Sequence, residues 1–239
     1  MKTIHLLITA GLLILLSSCQ NMNERQSEAE KIANAYGING YENVTEIHFT
    51  FNVEANNQTR ERTWNWNRQT SEITYTGPIE DDSVETYSYY RNKLDTTNEK
   101  MVSVDRKFIN DKYWFLFPFN LVRDVHTDID VQGEKLSPII REKRQKLTIQ
   151  YGEQGGYTPG DAYDVYYDSA DYLIDVWVYR KGGEVDNPMP TTWEDHKQLG
   201  PIIVGTNHVG LNQNFRIYFD DLKLKTTDSD EWIKAQSLN

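Results

Sequence analysis

Hydrophobic and polar positions change their spacing as the chain proceeds. Between residues 27 and 36, Ala29, Ile32, Ala33 and Tyr36 recur three and four apart, which predicts a short helix with one apolar stripe. Ser27 followed by Glu30 fits a capping box, and Gly37 is a natural stop. From residue 47 the period falls to two. Ile47, Phe49, Phe51 and Val53 alternate with Glu46, His48, Thr50 and Asn52, the pattern of a half-buried strand. Asn56-Asn57 supplies a turn, and residues 60–67 run back with Trp64 and Trp66 on one face. Ile73 and Tyr75 continue to Gly77-Pro78, so this part predicts an antiparallel meander.

The middle is less regular. Asp81-Asp82 and residues 95–100 read as polar loops around the Tyr-rich stretch 87–90. The run Tyr113-Trp114-Phe115-Leu116-Phe117-Pro118-Phe119 is either a fully buried segment or the lining of an apolar cavity, and Pro118 discourages a central strand there. Alternation then returns in Leu147, Ile149 and Tyr151; in Tyr163, Val165 and Tyr167; in 173–179; in 202–204; and in Phe215, Ile217 and Phe219. Turn signals at Gly152, Gly155-Gly156, Pro159-Gly160 and Gly182-Gly183 separate these segments. About ten strands with no internal repeat predict a mainly β protein: one curled antiparallel sheet, a barrel or a sandwich.

The N-terminus carries an address. Lys2 precedes the apolar run from Leu6 to Leu16, long enough for a secretory signal and too short to span a bilayer as a helix, which takes roughly 20 residues. Leu16-Ser17-Ser18-Cys19 has the form of a bacterial lipobox, with small residues before a cysteine whose thiol accepts diacylglycerol. Acylation of Cys19 with more than one chain gives stable anchoring, since each buried CH2 contributes about 0.8 kcal/mol. The expected organisation is a signal peptide over residues 1–18, lipidated Cys19 with a tether to residue 26, one β domain over 27–225, and a polar tail over 226–239. Only Glu24 is acidic close behind Cys19, which favours a periplasm-facing position on the outer membrane over surface display.

Composition narrows the function. The 239 residues carry 36 acidic and 25 basic side chains, net -11. Removing residues 1–18 takes away Lys2 and no acid, so the mature chain stands at -12. That excess argues against nucleic acid, whose binding needs a basic face. Fifteen Tyr, 8 Phe and 6 Trp can build a core without disulfides, and once Cys19 is acylated no thiol remains.

No catalytic motif is present. His48, His126, His196 and His208 stand outside any zinc-ligand spacing, so neither metal nor cofactor is expected. There is no Gly-x-Ser-x-Gly elbow and no phosphate-cradling Gly-rich loop ending in Gly-Lys-Ser/Thr. Asp161, Asp164, Asp168 and Asp171 lack calcium-loop spacing and read as solvated edges; Asp128 with Asp130, or Asp220 with Asp221, could supply a glycosidase pair. Trp64, Trp66, Trp177 and Trp193 could stack on sugars or face the core.

The leading helix, the strand Ile47-His48-Phe49-Thr50-Phe51, the return Trp64-Asn65-Trp66 and the late Trp177-Val178-Tyr179 resemble the LolA/LolB-like lipoprotein-carrier fold. The stretch from Phe108 to Phe119 is similar to a family of outer-membrane lipoproteins from Bacteroidota. The resemblance covers residues 27–225 and implies an unclosed β-barrel packed over a short N-terminal helix, with an apolar pocket for acyl chains. It transfers no single functional residue. On this reading Trp114, Phe115, Phe117 and Phe119, with Trp64 and Trp66, line the pocket, and an aspartate at Phe117 expels the ligand. The expected protein is a monomeric, non-enzymatic lipoprotein that binds a lipid or lipoprotein acyl chains and meets the membrane through its anchor. The alternative is a surface lipoprotein that binds or processes carbohydrate.

Overall fold

The structure is a computed structural model and describes residues 26–79, 81–125, 127–153, 159–211 and 214–238. The signal peptide, Cys19 and most of the tether lie outside the described residues, as do His126 and the Gly155-Gly156 turn.

Helix α1 (Glu28–Ala35) is the one the sequence predicts, with Ser27 and Glu30 bonding reciprocally as a capping box. The single turn α2 (Ile38–Tyr41) follows. Strands β1 (Val44–Ala55), β2 (Gln58–Asn67), β3 (Glu72–Pro78) and β4 (Val84–Tyr90) form the expected meander, and the Tyr-rich stretch proves to be its fourth strand. Asn56 and Asn57 turn the first hairpin with φ of 51° and 61°, the left-handed conformation that two-residue hairpins require.

The run from Phe108 to Phe119 belongs to α3 (Glu99–Arg123), a helix of 25 residues. The main helix of the fold therefore lies mid-chain, and the short N-terminal helix packs beside it. Asn98 caps it by accepting from the Met101 N–H. Pro118 lacks an N–H and crowds the preceding turn, and Leu116 departs from helical geometry at φ -118°, so α3 kinks there.

Beyond it run β5 (Thr127–Leu136), β6 (Lys143–Tyr151), β7 (Ala162–Tyr167), β8 (Ile174–Arg180) and β9 (Met189–Thr192). They pair antiparallel in the order β5-β6-β7-β8-β9. Next come β10 (Glu194–Leu199), β11 (Ile202–Val209), β12 (Phe215–Thr226), β13 (Ser229–Lys234) and β14 (Gln236–Ser237). These join the meander in the order β14-β10-β11-β12-β1-β2-β3-β4, with β13 against β12. The C-terminal segment read as a polar tail is thus part of the sheet: β13 has few apolar residues because only one of its edges pairs and its faces are largely exposed.

The two sheets form one bent wall. Trp193 alone separates β9 from β10, and the sheets also meet at the Thr191–Gly210 bridge. The opposite edges, β4 and β5, do not pair with each other. The protein is mainly β, with an antiparallel wall that is not closed into a barrel, as the sequence predicts; the wall is divided into two sheets where a single curled one was expected.

Inside the wall lies α3. Phe115 stacks on Phe49 at 4.7 Å between centroids, and Phe117 stacks on Trp177 at 4.8 Å, so one helix packs against both sheets. Tyr36 at the end of α1 accepts from the Ile174 N–H (3.0 Å) on β8 and bonds His196 Nε2 (2.7 Å) on β10, tying α1 to both sheets. Gly37 sits at φ +86° with Pro201 O only 2.4 Å from where a Cβ would stand. Gly133, in the bulge of β5, has φ +69° and open space around it. Gly37→Ala should cost about 2–4 kcal/mol by denaturant unfolding, and Gly133→Ala only about 1 kcal/mol for the left-handed backbone. Equal losses would show that the contact with Pro201 is not what demands glycine at 37.

Candidate functional site

Of the six residues expected to line a pocket, the structure brings four together on α3 and two beside it on β2. Trp114, Phe115, Phe117, Phe119 and Trp64 are buried, and Trp66 is half-buried. Their neighbours are other rings. Trp114 lies 4.1 Å from Trp177 and 5.4 Å from His208; Phe119 lies 5.0 Å from Tyr41; Phe115 lies 5.2 Å from Phe219. Phe108, about two turns earlier, takes Trp64 and Trp66 edge-on at 5.3 and 5.4 Å. Rings at these separations supply packing beyond their buried area, so the segment is a core first. An aspartate at Phe117 would put an unpaired charge into this core and unfold the protein before it reported on a ligand.

Polar groups inside the aromatic mass fix its register. Asp111 is fully buried on α3; Arg62 donates to it from Nε (2.7 Å) and Nη2 (2.6 Å), Trp64 from its indole N–H (2.8 Å) and Asn110 from Nδ2 (3.0 Å). Burial raises the Asp111 pKa, and Arg62 pulls it back more than the other donors do. Asp105, also buried, accepts from the Tyr89 hydroxyl (2.8 Å) and Arg91 Nε (3.0 Å). On the other side of the helix, the Tyr113 and Tyr151 hydroxyls bond at 2.7 Å, and Tyr151 donates onward to Asp124. Apart from Trp64 and Tyr113, which were read as part of the aromatic set, none of these groups was singled out in the sequence. An acid such as Asp111 inside an aromatic run was the available signal, because such an acid must have partners.

The remaining candidates resolve as follows. Trp177 and Trp193 are buried with Trp64, so three of the four rings considered as sugar platforms face the core. Asp161 and Asp164 are buried instead of solvated: Asp161 accepts from Tyr179 and the Gly182 N–H, and Asp164 from Thr148 and Arg180. Asp221 accepts from His48 (2.8 Å), so that ring is paired with a carboxylate. Among the described residues, no three acids, histidines or cysteines come together as a metal site. No helix among them is long and apolar enough to cross a membrane.

His208 is fully buried between Trp114, Trp193 and Phe219. Its Nδ1 donates to the Thr192 carbonyl at 3.2 Å, and its Nε2 has no partner among the described residues. Burial lowers its pKa to about 3.

Comparison with known proteins gives a limited picture. The chain matches no protein-family model and no curated protein. Among solved structures it is similar to a LolA superfamily protein from Nitrosomonas europaea, with a TM-score of 0.46, 6% identity, and coverage of 84% of this chain and 94% of that one. It is also similar to a DUF1329 family protein from Desulfovibrio piger, with a TM-score of 0.40, 8% identity, and coverage of 86% and 96%.

The buried imidazole has a consequence for acid stability. Unfolded, the ring titrates near 6.5; folded, it titrates near 3, so in that window the unfolded chain binds the extra proton and stability falls as pH drops. Between pH 6.5 and 5 the contribution approaches about 1.4 kcal/mol per pH unit. Unfolding curves for His208→Gln should lose that slope relative to the parent, and an unchanged slope would show that the ring is charged or hydrated in the fold.

Proposed function

We propose that this chain is a lipid-anchored protein of the cell envelope that binds a hydrophobic ligand, a lipid or the acyl chains of a lipoprotein, and catalyses no reaction. The observation that carries this reading is the packing of α3: a helix lined with aromatic rings, held inside a curved antiparallel wall whose two free edges, β4 and β5, are unpaired with each other. Apolar residues are exposed on those edges, with Ile129 at 37% and Val131 at 50% on β5, and Val84 and Tyr90 on β4. An acyl chain entering between them meets rings that can exchange contacts with it. The Leu16-Ser17-Ser18-Cys19 sequence supplies the anchor. The resemblance in sequence to Bacteroidota outer-membrane lipoproteins points the same way, and the proposal includes a position facing the periplasm.

The carbohydrate reading loses its main support. Sugar stacking needs exposed ring faces, and Trp64, Trp177 and Trp193 are buried. Trp232 is partly exposed, but Lys223 and Lys225 lie over its ring at 5.7 and 4.7 Å.

Two measurements test the proposal. Native mass spectrometry of residues 19–239, made without the leader and exposed to bacterial lipid extract, should retain an adduct of lipid mass. A clean protein mass after lipid addition would overturn the ligand. Peptide mass analysis of the full chain from bacterial membranes should find diacylglycerol on Cys19, and an unmodified Cys19 in the mature protein would overturn the anchor.

A further inference from the structure

Helix α3 has three arcs. Phe108, Asp111 and Phe115 face the first sheet through Trp64, Arg62, Phe49 and Phe219. Tyr113, Trp114 and Phe117 face the second sheet and the seam through Tyr151, Tyr163 and Trp177. At 100° per residue, Ile109, Lys112 and Leu116 occupy the third arc, between Phe108 and Tyr113 and on the same side as Asp105, which is tied to Tyr89 on β4; Tyr113 is tied to Tyr151 on β6. Its neighbours are Trp66 on β2 and, through Asp105, Tyr89 on β4, a strand that does not pair with β5.

Lys112 is out of keeping with its surroundings. It is half-buried, and no hydrogen bond or ion pair reaches its ammonium among the described residues; its one contact of note is the Trp66 ring, 5.9 Å from Nζ. Acids outnumber bases 36 to 25 in this chain, so an unmatched lysine is not for want of carboxylates. The two nearest acids are engaged elsewhere, Asp105 by Tyr89 and Arg91 and Asp124 by the Tyr151 hydroxyl. Burial, and then repulsion from Arg91, hold the Lys112 pKa below the ordinary lysine range. A partly desolvated cation without a partner bears a cost, and an anion arriving at this site would reduce that cost.

We infer that Lys112 anchors the anionic head, a carboxylate or a phosphate monoester, of an amphiphile whose acyl tail lies along Ile109, Leu116 and the Trp66 ring. The inference rests on the acyl-binding reading and adds selectivity to it. A charged head in this place would be held by a charge-assisted hydrogen bond at a half-buried ammonium, whereas an uncharged head would gain only apolar contact.

Displacement of the uncharged dye N-phenyl-1-naphthylamine from residues 19–239 tests this with three competitors: oleate, oleoyl lysophosphatidate and methyl oleate. The parent protein should bind one or both charged competitors at least about tenfold more tightly than methyl oleate. The stronger of the two identifies the head as carboxylate or phosphate. Lys112→Met should abolish the preference while leaving methyl oleate binding within about twofold. Lys112→Arg should restore most of it, and Lys135→Met on exposed β5 should leave it intact. Because the preference is read first in the parent protein, the test does not depend on how the variants fold. Equal binding of all three competitors by the parent would overturn the anionic site and leave the acyl-binding reading standing. So would a preference that survives Lys112→Met. Failure of dye and all competitors to bind would overturn the acyl-binding reading itself.

Discussion

A helix that is apolar around most of its circumference cannot lie on a surface, and this requirement organises the fold. Between residues 114 and 119 every side chain of α3 is buried. An amphipathic helix needs one sheet to cover its stripe, whereas this one needs cover on two sides at once. A single flat sheet could not provide it. The wall therefore bends at Trp193, between β9 and β10, and carries Phe49 and Phe219 on one side of the helix and Tyr163 and Trp177 on the other. Apolar contact is non-directional and would let α3 slide. Asp111 with Arg62 and Trp64, and Asp105 with Tyr89, are directional and set the helix in one register against β2 and β4.

How much of this was legible depends on whether one face of an element meets water. Helix α1 and strands β3 and β12 alternate between core and surface, so their periods survive in the sequence; β1, β2, β6 and β7 keep enough alternation of apolar and polar residue types to be read, although β7 is buried throughout. Helix α3 has no such contrast, and Pro118 further disguises it; its aromatic run suits a buried strand as well as a buried helix. Strands β5 and β13 fail for the opposite reason. Each lies at a margin with most residues exposed, so charged residues such as Asp128, Asp130 and Glu231 replace the apolar alternation. The aromatic block was visible as a group meant for the interior. Its period could not distinguish rings that pack on other rings from rings that line a space, since both ask for the same residues. Lys112 was hidden within that block, because its oddity lies in the absence of a partner, which only three-dimensional placement reveals.

The charge distribution sharpens the contrast between the outside of the protein and the open side of the wall. The outer faces carry ordinary exposed pairs, such as Lys143 with Glu134 and Arg216 with Glu54, each of small net value in water. Around one arc of α3, Arg91 pairs with Asp105, Arg123 pairs with Glu42 and Asp124 accepts from Tyr151, so among the described residues Lys112 is the cation of this group left without a partner.

The packing also decides which part of a ligand can confer selectivity. A tail entering a wide, empty pocket would gain about 0.8 kcal/mol for each CH2 removed from water. Here the rings already touch one another, and a tail must displace ring contacts to make its own. The gain on one side is offset by the loss on the other, so tail length is a weak discriminator in a core of this kind. The head group is not subject to that exchange. Lys112 has no protein partner to surrender, and an anion beside it relieves a cost that the folded protein already bears. An interior filled with aromatic rings and a cation left unmatched at its open side are therefore complementary: the first tolerates many tails, and the second chooses the head.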